Sequence, residues 1–511
     1  MAYRDLREFV QDLESAGQLV RVRAEVDPVL EIAEIARRQM KLDCPEGLAG
    51  APATDPVNGR FGGKALLFEN VRGSEFPVLI NAFGSYARMC RALGCEDFET
   101  LAARVAALLK PDIPTSLLGR LKKLPELAKL GSMTPKVVRG QALCQEVVLT
   151  GDQADLTRLP VIQCWPGDGE GHPCGAIAGR YITLGGIVTQ HPDSGERNLG
   201  MYRMQLFGPR RAGMHMHMHH DGARHWRAWQ RLGKPMPAAV VLGGQPTLPF
   251  AATAPLPPGV DELLLAGFIQ QQGVELVHCT SIDLDVPTSA EIVIEGEVSV
   301  DESSIEGPFG DHTGFYSLAD VFPVFTVKAI THRRGAIYPA TTVGHPPMED
   351  YYMGKAVERI FLPMLRTLTP DLIDYDLPMF GAFHNFAFVK IRKEYPYQAR
   401  RVMHALWGAG QMSLTKCIVV VDQDVNVHDP NDVWFHVGAN VDPSRDIELS
   451  RGPADILDHA SAELGTCGKI GIDATRKIAG EGQVRPWPEP TRMAQDVIDQ
   501  VSRRWKEYGL E

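Results

Sequence analysis

"EIVIEGEVSV", residues 291–300, is dense in β-branched residues and reads as a strand within a β-rich segment. The same signature recurs on both sides of it. "QEVVL" (145–149), "GRYITLGGIVT" (179–189), "LGMYRMQLF" (199–207) and "AAVVLGG" (238–244) all read as strands. The clearest helix among them is "DELLLAGFIQQQG" (261–273). Antiparallel strands with one or two helices predict a barrel-like domain, placed at residues 136–325.

The flanks read differently. Leu6, Phe9, Val10 and Leu13 recur at helical spacing, and Gly17 suits a C-cap. "QLVRVRAEV", "KALLFENV" and "PVLINAF" follow as strands, with "SYARMCRALG" and "FETLAARVAALL" as helices. Residues 1–110 are therefore expected to form a small α/β domain. Pro and Gly break up residues 111–135, which read as a connector. Beyond 326, "PVFTVKAITHR", "HNFAFVKI" and "CIVVVDQDVNV" alternate with helical stretches, predicting a second α/β domain to 485. After "RPWPEPT", Ala494, Val497, Ile498, Val501 and Trp505 stripe a last helix within 486–511. That stripe suits packing on a neighbouring subunit or on its own domain. The expected class is α/β and β multidomain.

A chain of 511 residues can bury several cores. The net charge of −11 argues against sequence-independent binding to nucleic acid, which needs a basic surface. No apolar run approaches the roughly 18–20 residues of a membrane span. The first helix carries acids, unlike a signal or transit peptide. Nine scattered cysteines without a C-x-x-C pair point to reduced thiols and a cytoplasmic setting. The sequence contains no Rossmann glycine fingerprint, P-loop, H-E-x-x-H or G-x-S-x-G, which lowers the weight of those chemistries.

Chemistry concentrates in three stretches. In "SSIEGPFGDHTGFY" (303–316), Glu306 and Asp311 flank Gly-Pro-Phe-Gly. Two carboxyls held close cannot both ionise comfortably, so one pKa is expected to rise into a proton-donor range. A plain surface turn is the competing reading. In "GERNLGMYRMQLF" (195–207), Asn198 and Arg203 lie where a turn enters a strand. An arginine there could bind a carboxylate bidentately or make a surface ion pair. The Pro-rich stretch 243–267 delivers Asp261 and Glu262 to a helix start, where either could serve as N-cap. A fourth stretch, "GMHMHMHHDGARHW" (213–226), holds five histidines. Read as a strand, it puts His215, His217 and His219 on one face and His220 on the other. The trio would make a zinc-like site, but rings at alternate positions stand about 7 Å apart.

Taken together and in order, "RNLGMYR", "HHDGA", "PPGVDE" and "IEGPFGDHTG" resemble the UbiD-type family of prenylated-flavin-dependent decarboxylases. So do "THRR", "PPMED", "HALWG", "VVVD" and "GIDATRK", and the similarity spans roughly residues 1–480. The resemblance implies a split β-barrel flavin domain at the centre and a C-terminal oligomerisation domain. It implies prenylated FMN held through Mn²⁺ (or Mg²⁺), with Asn198, His220 and Glu262 as metal ligands. A carboxamide, an imidazole and a carboxylate suit such an ion. It further implies K⁺ near Glu262, and Arg203, Glu306 and Asp311 as the catalytic group. Met201 and His219, with Met216, fall where the family lines the cofactor pocket, and Lys416 matches a phosphate-side lysine. Asn440 replaces a family arginine.

The implied activity is reversible non-oxidative decarboxylation of an aromatic or α,β-unsaturated acid, with CO₂ as co-product. A polyprenyl-hydroxybenzoate-type quinone precursor is one candidate substrate, which would call for an apolar channel and peripheral membrane contact. A small phenolic or heteroaromatic acid is the alternative. An FMN-binding redox protein and a metal-dependent hydrolase are the readings from other classes. The resemblance also implies a flavin prenyltransferase as cofactor supplier and a homo-oligomer, dimer or hexamer.

Overall fold

The computed structural model describes residues 3–45, 55–109, 131–217, 220–382 and 384–510. Most of the expected connector and His219 lie outside these residues.

The centre is a nine-stranded antiparallel sheet. Its spine is the pair Ile292–Glu306 and Asp320–His332, in register from Ile292 opposite His332 to Glu306 opposite Asp320. Register shifts at Glu295/Gly296 and between Val298 and Ser303 bend the pair. Such bulges increase twist and let a sheet curl into a partial barrel. Gly296 is required there, because a Cβ would stand 2.3 Å from the Thr326 carbonyl oxygen.

The period-2 pattern sorts side chains into two cores. Ile292, Ile294 and Val298 pack with Ala238, Val240 and Leu242 on one face. Val293 packs with Ala239 and Val241 on the other. Both faces are covered, which explains why these strands read as nearly continuous apolar runs.

The expected boundary at 325/326 is corrected by the structure. It would cut the strand Asp320–His332, which belongs to the central sheet along its whole length. Strand periodicity reports a strand but not the sheet it joins. The same limit applies to Tyr338–Pro339, which pairs in parallel with Val78–Ile80 and completes the four-stranded N-terminal sheet.

The C-terminal sheet runs in the order Leu372–Asp376, Phe386–Ile391, Cys417–Asp422, Thr466–Asp473, Ile447–Pro453. Its three middle strands are parallel. The 20-residue helix Glu349–Leu368 leads into it from the central region. The last helix, Gln495–Arg504, buries none of its residues. Val497 and Ile498 are 38% and 42% exposed, so the stripe is not buried by its own domain among the described residues. No helix among the described residues is long and apolar enough to cross a membrane.

Candidate active site

Arg203 follows the strand Arg197–Met201 and reaches across to the end of the long strand Ile292–Glu306. Its Nε and Nη2 donate to the two oxygens of Glu306 at 2.8 and 2.9 Å. Nη1 donates to Asp311 Oδ2 at 2.5 Å, and Nη2 also donates to Ser317 Oγ at 2.9 Å. The guanidinium carbon lies 4.7 Å from the centroid of the Phe309 ring. Glu306 is 0% and Asp311 7% exposed, which rules out a solvated surface turn. Gly310 allows the bend to pack, since a Cβ there would meet Trp165 at 2.1 Å.

The electrostatics differ from the expectation that one carboxyl would be raised. Burial alone would raise Glu306, but Arg203 and His215 outweigh it and hold the carboxyl at about 2. Burial likewise opposes the charge of Asp311, but hydrogen bonding from His312 and the charge of Arg203 hold it well below the usual range. A cation inserted between two acids removes the repulsion that would have forced one to stay protonated. The raised carboxyls lie elsewhere. Burial lifts Asp168 to about 7 despite backbone N–H bonds from Cys164, Trp165 and Gly310.

The histidine run does not continue the strand. The strand ends at Met214, and His215–His217 is irregular backbone. The rings of His215 and His217 consequently lie 4.8 Å apart, closer than a strand would place them. His215 Nδ1 meets Glu306 Oε2 at 2.8 Å, and its Nε2 meets His217 Nε2 at 2.9 Å. His217 stacks on His220 at 4.7 Å, and burial with its histidine neighbours pushes its pKa well down. With ring nitrogens of His215 and His217 turned toward Glu306 and toward each other, this part of the run serves the acid and not a zinc trio.

Asn198, His220 and Glu262 converge on Tyr202 and the strand Arg197–Met201. Asn198 Nδ2 donates to the Tyr202 hydroxyl at 3.4 Å, and the His220 ring stacks on Tyr202 at 5.2 Å. Leu199 N, next to Asn198, donates to Glu262 Oε2 at 2.8 Å. Asp261 is the helix cap, accepting from Leu263 N at 2.9 Å, which leaves Glu262 to turn inward. Glu262 is 8% exposed, and burial, with Asp261 and Asp221 nearby, lifts it to about 7. Asp261 is paired with Arg197 and Asp221 with Arg224. Met201 sits at the edge of the Pro-rich loop, donating its N–H to the Ala252 carbonyl at 3.0 Å.

Lys416 is not brought to this group. It lies beside the C-terminal sheet with its ammonium 2.9 Å from Asp458 Oδ1, a placement that sequence spacing cannot reveal. Asn440 donates to the Ala474 carbonyl at 2.9 Å within the same sheet unit.

Sequence reasoning missed His312, whose Nδ1 lies 3.0 Å from Asp311 Oδ1. Its adjacency to Asp311 in "GDHTG" was the available signal. It also missed His384, whose ring lies 5.9 Å from His312 and whose Nε2 is 3.3 Å from Asp455 Oδ2. No sequence signal links residues so far apart.

Three models of the 3-octaprenyl-4-hydroxybenzoate carboxy-lyase family match the chain. The N-terminal domain matches residues 10–108, the Rift-related domain 136–346 and the C-terminal domain 351–474. The chain belongs to the UbiD family. Uncharacterized proteins of Aquifex aeolicus and Archaeoglobus fulgidus are 46% and 45% identical to it over 510 and 509 residues, covering at least 99% of each chain. Among solved structures, the closed form of vanillic acid decarboxylase from Sedimentibacter hydroxybenzoicus superposes with a TM-score of 0.81 at 25% identity, covering 99% of this chain and 100% of that one. The open form of that enzyme gives 0.72. The UbiD-class enzyme HmfF from Pelotomaculum thermopropionicum, in complex with FMN, gives 0.74 at 29% identity, covering 97% of this chain and 98% of that one. An evolved dimeric HmfF in complex with prFMN gives 0.74 at 28% identity over 98% and 99% of the two chains. This UbiD-family fold carries Asn198, Arg203, Glu262, Glu306 and Asp311 on its Rift-related domain, and His384 and Asp455 on its C-terminal domain.

Proposed function

We propose that this chain is a non-oxidative decarboxylase of an aromatic carboxylic acid that works with prenylated FMN. The observation that carries the reading is the buried guanidinium of Arg203 clamped between Glu306 and Asp311. Loss of CO₂ from an sp² carbon leaves an electron pair that no side chain can delocalise. The modified flavin, when bound, supplies the electron sink for that step. The protein residues do the rest: Arg203 binds and orients the substrate carboxylate, Glu306 fixes Arg203, and Asp311 returns a proton to the carbon.

The donor set at Asn198, His220 and Glu262 fits a divalent cation. It offers a carboxamide, an imidazole and a carboxylate that is buried among other acids without an ion pair among the described residues. These three would hold Mn²⁺ or Mg²⁺ at the flavin phosphate, with K⁺ near Glu262 and Met201 beside the cofactor. HmfF in complex with FMN or prFMN supports the flavin.

For the substrate, Phe315, Leu318 and Val321 are 59%, 85% and 61% exposed on the segment that follows Asp311. These exposed apolar side chains support an acid with an apolar tail, of the polyprenyl-hydroxybenzoate type. The likeness to vanillic acid decarboxylase supports a small phenolic acid as the second candidate. The exposed last helix supports a homo-oligomer. All nine cysteines are free, which supports a reducing, cytoplasmic setting.

Co-expression with a flavin prenyltransferase tests the reading. The expected result is a bound species with the mass and visible spectrum of prenylated FMN, and CO₂ release from an aromatic acid. Unmodified protein that binds no flavin and releases no CO₂ across a panel of aromatic acids overturns it.

A further inference from the structure

A carboxylate gripped by two cations is a poor base and seldom holds a proton of its own. Asp311 Oδ2 accepts from Arg203 at 2.5 Å. Its Oδ1 takes the backbone N–H of His312 at 2.8 Å and faces the His312 Nδ1 at 3.0 Å. Yet decarboxylation, R–COO⁻ + H⁺ → R–H + CO₂, consumes one proton per turnover. Resting on the reading of Asp311 as the proton-returning group, that residue must be recharged where it is 7% exposed.

We infer that His312 holds the proton that Asp311 delivers, passing it from Nδ1 to Oδ1. The balance is simple. The C–C bond breaks with its electron pair left at carbon; Asp311, a carboxylate at rest, takes the His312 Nδ1 proton and gives it to that carbon, and His312 recovers one from solvent. His312 is thus a positioning and proton-supplying residue that acts through Asp311.

The surroundings suit this role. The His312 side chain is 15% exposed, leaving an edge for recharging. It is faced by Asp311 on its own loop, by Asp350 at the start of the helix Glu349–Leu368, and by Asp455 beyond the strand Ile447–Pro453. Burial would lower its pKa, but these acids, Asp311 foremost, lift it to about 9. His384 is the other ring at hand. Burial holds it at about 4 against Asp455, with Lys416 and Asp458 behind it, so it stays neutral. His312 is therefore the cation of the pair at neutral pH. Asp455 and His384 both come from the C-terminal domain, so the proton store is completed by that domain lying against the 311–315 loop, where Phe315 also meets His459 at 4.2 Å.

The test compares wild type, His312→Gln and His312→Ala as flavin-loaded holoenzymes, with loading read from the visible spectrum. The rate is followed from pH 6 to 10. Wild type is expected to lose rate as pH rises through about 9, where His312 deprotonates. His312→Gln keeps a donor to Asp311 but cannot store a proton. It is expected to load normally, keep its KM, lose about 10²-fold in kcat and lose the alkaline limb. His312→Ala should lose as much. An NMR titration of His312 without substrate should show its pKa fall in Asp311→Asn. Wild-type kcat in His312→Gln overturns the inference alone, as does a reduced kcat that keeps the same alkaline limb. No CO₂ release from wild type with any aromatic acid overturns the decarboxylase reading itself.

Discussion

Arg203 meets Glu306 through two parallel hydrogen bonds of 2.8 and 2.9 Å in a place where the Glu306 side chain is wholly buried. Lysine cannot reproduce that fork, because its ammonium is a point charge. Arg203→Lys is expected to load flavin but lose at least about 10²-fold in kcat, measured as CO₂ release. Arg203→Ala strands two buried acids and should cost about 3–5 kcal/mol of stability by denaturant titration. The clamp also sets an acid limit. The Glu306 carboxyl, depressed to about 2, contributes stability that is fully present above its unfolded value of about 4.3 and is lost as pH falls toward 2.

His215 Nδ1 meets Glu306 Oε2 at 2.8 Å, the same oxygen that accepts from Arg203 Nη2. His215→Ala removes one of the interactions that depress Glu306. The acid limb of the kcat profile should therefore move to higher pH, with little change above neutrality. An unmoved limb would show that Arg203 alone sets the Glu306 charge.

Glu262 is the acid expected to bring a negative charge to the cation. Glu262→Gln keeps the acceptor for Leu199 N but removes that charge. Purified holoenzyme should then contain under a tenth of the Mn²⁺ of wild type by elemental analysis, about the 10- to 100-fold loss typical of a damaged metal shell. Chelation of wild type should mimic the variant, and added Mn²⁺ should rescue wild type only.

Val497 and Ile498 on the last helix are half exposed and belong to none of the buried cores among the described residues. If this stripe docks on a second copy, the double substitution Val497→Asp and Ile498→Asp should reduce the assembly to monomers in light scattering. The Rift-related domain should remain folded by circular dichroism. An unchanged mass would remove the helix from the interface.

Much of this molecule was legible in one dimension. Strand and helix periodicity located many of the elements, the first helix, the central strands and the last helix among them, because burying one face imposes a period of 2 or 3.6 on apolar residues. It missed the helices Glu31–Met40, Asp221–Arg231 and Pro430–Asn440. The motifs around Asn198, Arg203, Glu262, Glu306 and Asp311 pointed to the family, since few chemistries need those residue types in that order. Pairing was not legible. That Asp320–His332 belongs to the central sheet and Tyr338–Pro339 to the N-terminal one is decided by register, which local pattern does not encode. Nor was charge state. Two acids five residues apart suggested a raised pKa, whereas the folded chain inserts Arg203 between them, sets His215 beside Glu306 and His312 beside Asp311, and depresses both. A side chain's ionisation depends on every group within a few ångströms, and His384 and Asp455 reach that radius only after the C-terminal domain has folded against the loop.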